Sequence, residues 1–120
     1  SQRYTVRQVL GHMQAAEVAP NAESMAYLVV GCHLEGDREA VDLCHDRLTS
    51  ADRHLLSLPS VRALLSIYTA REDVGRLLAL LEAAVDRQLL VSRSEAAHFL
   101  GALCSLSSPE DYVSALELLV

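Results

Sequence analysis

A chain of 120 residues that is 51% hydrophobic carries enough apolar material for one compact domain or a few stacked repeats, which excludes a disordered segment. Its formal charge of −6 excludes a general polyanion-binding surface, because nonspecific nucleic-acid affinity comes from Lys and Arg set against phosphate. Aromatics at 4% and an apolar stock of Leu, Ala and Val speak against strands and suit the space between helices, and the odd number of cysteines, three, points to reduced thiols.

In chain order, the apolar pattern predicts a first helix near 3–17. It closes on Val18, Ala19, Pro20 and Asn21, and Asn21 can accept from the first-turn NH groups of a second helix over about 22–35. Met25, Leu28, Val29 and Cys32 give that helix an i, i+3, i+4, i+7 stripe. Gly36 supplies a left-handed end, and Asp37 opens a third helix, about 38–50, with Ala40, Val41, Leu43 and Cys44 as its apolar positions. Ser57 then opens a helix over about 58–70 with Val61, Leu64, Leu65 and Tyr68, and Asp73 opens one over about 74–88 with Leu77, Leu78, Leu80 and Leu81. Ser92 and Glu95 form a capping-box pattern before a helix over about 93–106 carrying Ala96, Phe99, Leu100 and Leu103. The last helix, about 109–120, follows Ser108 with Pro109, Glu110 and Asp111 in its first turn. Tyr112, Val113, Leu116 and Leu119 run on without a C-cap, so the chain reads as an excerpt of a longer protein.

The starts Asn21, Asp37, Ser57, Asp73, Ser92 and Ser108 are spaced by 16, 20, 16, 19 and 16 residues, which pairs the helices with a period of 36 and then 35. The apolar stripes keep that register, placing Leu28, Leu64 and Leu100 at equivalent sites between successive pairs. One pair cannot cover its own stripe, so neighbours must stack. The expected fold is all-α, an α-solenoid of antiparallel helix pairs: 1–21 is the end of one repeat, 22–57 and 58–92 are full repeats, and 93–120 is an incomplete one.

This period, the Val18-Ala19-Pro20-Asn21 ending, and the Gly31, Cys32 and Gly36 of the repeat that follows resemble the pentatricopeptide repeat family. The resemblance implies a mitochondrial or plastid solenoid that binds single-stranded RNA, one base per repeat, through two or three side chains. In that family the fifth and last residues of a repeat do the reading. Here the fifth residues are Ala26, Arg62 and Ala97, and the last are Asn21, Ser57 and Ser92. The last positions keep the polar character of the family. Alanine offers no hydrogen bond to a base edge, and Arg62 with Ser92 suits a phosphate contact or stacking on a base.

Two functions follow. The first is an organellar RNA-associated protein of mitochondrial RNA processing, stability or translation, with single-stranded RNA or rRNA and protein subunits of a ribonucleoprotein as partners. The second is a degenerate-repeat scaffold between proteins, for example in a mitochondrial ribosome or its assembly particle. The uncharged lining expected from Ala26, Val30, Ser66, Ala97 and Gly101 favours the second. A file of arginines on the first helices would favour RNA, and Arg62, Arg71 and Arg93 lie on or beside them.

Neither function needs a catalytic centre. Cys32-His33 and Cys44-His45 suggest zinc, but adjacent helical residues point about 100° apart and do not converge on one ion. Cys104 and His98, six residues apart, fall on different faces of one helix. Phosphate loop, dinucleotide turn and nucleophile elbow are all missing from the sequence, so no cofactor, metal, small-molecule substrate or enzymatic activity is expected. No apolar run approaches the roughly 18 residues of a membrane span.

Overall fold

The computed structural model describes residues 6–17, 19–89 and 93–106, with 110, 113 and 117 besides. Among these, every regular element is helical: α1 (Val6–Ala15), α2 (Ala22–Leu34), α3 (Arg38–Leu48), α4 (Leu58–Arg71), α5 (Val74–Asp86) and α6 (Arg93–Leu106). A short 3₁₀ turn, Arg53–Leu55, precedes α4 and was not anticipated from the sequence. The expected helix over 109–120 lies outside the described residues, apart from Glu110, Val113 and Glu117, which are helical.

The helix starts follow from side-chain capping. Asn21 accepts from the Ser24 amide at 2.8 Å while the Ser24 hydroxyl receives the Asn21 amide at 2.7 Å, a reciprocal box that satisfies two first-turn donors. Asp37 accepts from the Ala40 amide and Asp73 from the Arg76 amide, doing the same for α3 and α5. Ser57 precedes α4 as expected but does not cap it with its side chain; its hydroxyl turns to the Ser60 hydroxyl at 3.3 Å, and Pro59 presets the first turn instead. Ser92 and Ser108 lie outside the described residues.

Left-handed residues close several of the helices. Gly36 takes φ +74° after α2, and 36 residues later Glu72 takes φ +58° after α4. Glu17 after α1 and Gln88 after α5 also sit in the left-handed region, 71 residues apart, which is 36 plus 35.

The core runs through α2 to α6. Met25, Leu28, Val29 and Cys32 of α2 are buried, as are Val61, Leu64 and Tyr68 of α4 and Phe99 and Leu103 of α6, so the expected stripes face inward. Each fully buried Leu contributes roughly 1.5–3 kcal/mol of transfer free energy. Several stripe positions depart from expectation: Val113 is exposed, and Leu65, Leu78 and Ala96 are half-buried. Leu43 of α3 is 55% exposed, because Ala40, Val41, Cys44 and Leu48 define the buried side of α3. Leu100 is half-buried, unlike Leu28 and Leu64. Helices touch their neighbours in order: α2 packs on α3 and α4, α4 on α5 and α6, and α3 on α5. The body measures 48 × 25 × 21 Å.

Candidate functional site

Helices α4 and α6 pack side by side and leave an open groove of about 660 Å³ between them. Its walls are mostly small or apolar: Leu65, Ser66 and Ala70 from α4, and Ala97, Gly101 and Ala102 from α6. Arg62 stands at the rim on α4 and His98 on α6. Of the residues singled out in the sequence, Arg62, Ser66, Ala97 and Gly101 are thus brought to one groove. Ala26 and Val30 hold the matching register on α2, where Ala26 is half-buried and Val30 exposed. Asn21 is engaged in the α2 capping box, Ser57 faces Ser60, and Ser92 lies outside the described residues.

The charge state of the rim decides what the groove can hold. Arg62 donates to the Glu95 carboxylate, joining α4 to α6 across the groove. The bond and the charge of Glu95 raise the Arg62 guanidinium above its ordinary value, and the same bond holds the Glu95 carboxyl low. The pair is therefore ionised and neutral overall at physiological pH. A phosphate entering here would have to displace a carboxylate already in place.

The second candidate arginine, Arg71, is held elsewhere. Its Nη1 donates to Asp42 of α3 at 2.6 Å, and the same carboxylate oxygen receives the Tyr68 hydroxyl at 2.8 Å. Burial pushes Asp42 up, but the Tyr68 and Arg71 hydrogen bonds and the Arg76 and Arg71 charges outweigh it and leave its carboxyl low. Burial, followed by the bond to Asp42, drives the Tyr68 phenol far above its ordinary range. His45 completes this cluster. Its ring meets Tyr68 edge-on at 4.9 Å, Nε2 lies 2.9 Å from the Arg76 carbonyl oxygen and Nδ1 lies 3.0 Å from Asp46. The network ties α3, α4 and α5 together. Sequence reasoning read Tyr68 only as an apolar-stripe residue; the signal available was a phenol placed where a buried OH needs a partner.

The remaining chemistry-bearing residues do not assemble. Cys104 is exposed on α6, His33 is exposed on α2, and no group of three or more metal-ligating side chains forms among the described residues. No helix among them is long and apolar enough to cross a membrane.

No family model, curated protein or solved structure matches this chain. The functional reading therefore rests on its own surfaces. One more surface stands out. Tyr27, Val30 and Leu34 of α2 are 70%, 42% and 79% exposed, and their spacing of three and four places them in one stripe. Such a stripe explains why α2 is apolar nearly all round, since its other side carries Met25, Leu28, Val29 and Cys32 into the core. At the matched register, Val30, Ser66 and Gly101 are all exposed, so α2, α4 and α6 present an uncharged line of positions.

Proposed function

We propose that this chain forms a pentatricopeptide-like α-solenoid, with helix pairs repeating every 35–36 residues, that docks a protein helix along α2, α4 and α6 within an organellar ribonucleoprotein. Three features support the solenoid. Left-handed helix ends recur 36 and 71 residues apart. Polar contacts join successive pairs: Arg53 with Asp86 and Arg87 with the His54 carbonyl at one junction, and Arg62 with Glu95 at the next. The radius of gyration, 14.9 Å, exceeds the roughly 13.6 Å of a spherical domain of this length, as stacking along an axis requires.

The observation that carries the function is the neutralised arginine. With Arg62 paired to Glu95, the groove offers small uncharged walls, and the apolar stripe of Tyr27, Val30 and Leu34 lies on the next first helix. Interface cores are short of charge and rich in such groups. The chain's net charge of −6 attracts a partner helix with basic flanks, of the kind abundant among proteins that sit on RNA. The mitochondrial or plastid setting follows from the pentatricopeptide resemblance. Direct RNA contact is the second reading, favoured by the 61% exposure of the Arg62 side chain at the fifth position of its repeat.

A photo-crosslinking residue at Ser66 in the full-length protein separates the two. Protein docking gives an adduct that protease destroys and nuclease spares, and Gly101→Phe abolishes it by filling the groove. Gly101 accepts a side chain, since a Cβ there meets nothing within 4 Å. A nuclease-sensitive adduct, together with weaker RNA binding and a shallower salt dependence for Arg62→Ala, overturns protein docking in favour of RNA.

A further inference from the structure

The cluster joining α3, α4 and α5 holds one donor without a hydrogen bond and one carboxylate poised to reach it. Asp46 Oδ1 lies 3.0 Å from His45 Nδ1 and 3.7 Å from Arg76 Nε. Arg76 Nε is buried and, among the described residues, makes no hydrogen bond, with Asp42 Oδ1 standing 3.8 Å away. A buried N–H is costly to leave in that state.

His45 is 2% exposed, and both of its ring nitrogens face acceptors. Nε2 lies 2.9 Å from the Arg76 carbonyl oxygen, and Nδ1 faces the Asp46 carboxylate. A neutral imidazole carries one N–H, so it would turn a lone pair on one of these oxygens; only the doubly protonated ring donates to both. The charges agree with this. Asp42, Asp46 and Asp73 set three carboxylates against the guanidinium groups of Arg71 and Arg76, and an imidazolium supplies the third cation. Arg76 opposes a second cation beside it, but its charge is shared among those three carboxylates. Tyr68 of α4 meets the ring edge-on as a neutral phenol, because burial and Asp42 drive its ionisation far up. Two further elements pack on α3. The residues that α2 buries are Met25, Leu28, Val29 and Cys32, of which the thiol alone is titratable. At the 3₁₀ turn, Arg53 is engaged with the Thr49 carbonyl and Asp86, Asp52 is engaged with Arg47, and His54 is exposed.

We propose that His45 is a proton switch: with two protons it holds Asp46, and on losing the Nδ1 proton to solvent it releases Asp46 to Arg76 Nε across the α3–α5 junction. The proton leaves by way of Asp46, whose side chain is 59% exposed. The remaining Nε2–H keeps its bond to the Arg76 carbonyl, while the bared Nδ1 lone pair repels the carboxylate. A shift of about 0.8 Å then brings Asp46 to the ordinary N–H···O distance of about 2.9 Å from Arg76 Nε. The ring ties α3 to α5 in both states, and the cluster passes from neutral to negative. The switch does not depend on what docks along α2, α4 and α6.

The test is nitrogen NMR on the labelled 120-residue chain at about pH 6 and about pH 9, which bracket the ordinary imidazole range. The expected result is a His45 ring with both nitrogens protonated at the acid end and only Nε2 protonated at the alkaline end. The Arg76 Nε signal should move in step, with slower exchange of its proton as Asp46 arrives. Asp46→Asn should remove most of that Arg76 step while His45 still titrates. His45→Gln should leave Arg76 Nε bonded at both ends; if that variant fails to fold, Asp46→Asn, at a mostly exposed position, decides alone. A ring that keeps its single alkaline proton on Nδ1, an Arg76 Nε signal that ignores the titration of His45, or an Arg76 step that survives intact in Asp46→Asn would each overturn the proposal.

Discussion

Replacing Tyr68 by Phe removes a single oxygen from the centre of the α3, α4 and α5 network and leaves the ring in place. Tyr68 is fully buried, and its hydroxyl donates at 2.8 Å to Asp42. A hydrogen bond to a charged group contributes about 1.5–3 kcal/mol. Asp42 keeps its bond from Arg71 and has some solvent access, 27% of its side chain, so water replaces part of what is lost. The expected cost is therefore at the low end, about 1–2 kcal/mol, read as a lower urea midpoint with an unchanged slope at pH 7. Asp42's carboxyl is lower in the folded chain than in the unfolded one, so its contribution is complete above the unfolded value of about 3.9 and is lost as pH falls through the folded value. Without the Tyr68 hydroxyl that depression is smaller, and acid unfolding moves to higher pH. A double-mutant cycle with Asp42→Asn isolates the pair and should give a coupling of about 1 kcal/mol. A Tyr68→Phe chain within ~0.5 kcal/mol of wild type, or a coupling of zero, would refute the account of Asp42 as a carboxylate held by this phenol.

Leu64→Ala truncates a fully buried side chain in α4, between α2 and α5, and should cost about 2–5 kcal/mol by chemical denaturation; a loss under ~1 kcal/mol would mean that the site collapses or that the register is wrong. Gly36→Ala places a Cβ where φ is +74° but where no atom lies within 4 Å, so the cost is confined to the backbone, about 1–2 kcal/mol. Gly36→Asn should cost less, and a thermal melt of the two variants showing equal stability or a gain for Ala would contradict the left-handed assignment.

The helices were legible because their signals are local. Asn21, Asp37 and Asp73 announce starts through side-chain acceptors within three residues of their targets, and Gly36 announces an end through its own backbone. The same local logic failed where context decides. Ser57 has the right chemistry for a cap, yet Ser60 is near enough to take its hydroxyl. Leu43 sits among apolar residues, yet the buried side of α3 is set by α2 and α5, and one residue's rotation turns it outward. Glu72 and Gln88 end their helices in the left-handed region without being Gly or Asn, so nothing in their identity marked the turn.

The site was legible only in part, because its charge state depends on contacts between helices far apart in sequence. Arg62, Ser66, Ala97 and Gly101 line one groove, but the partner of Arg62 is 33 residues away, and no spacing rule within one helix reaches that far. The wider pattern is the same. Arg47 pairs with Asp52, Arg53 with Asp86, Arg62 with Glu95, Arg71 with Asp42 and Arg76 with Asp73, and Arg87 donates to the His54 carbonyl. Among the described residues, six arginines are thus used to join helices and turns. Guanidinium groups suit that task, because a planar fork can hold a carboxylate in a fixed direction where a lysine would supply only a mobile point charge. An arginine so used presents a neutral pair to an approaching phosphate rather than a cation, which removes most of the counterion-release gain that drives RNA association. The apolar stripe on α2 and the uncharged groove beside α4 lose nothing by this arrangement, and on the proposed reading the chain's net charge of −6 would favour a partner helix with basic flanks.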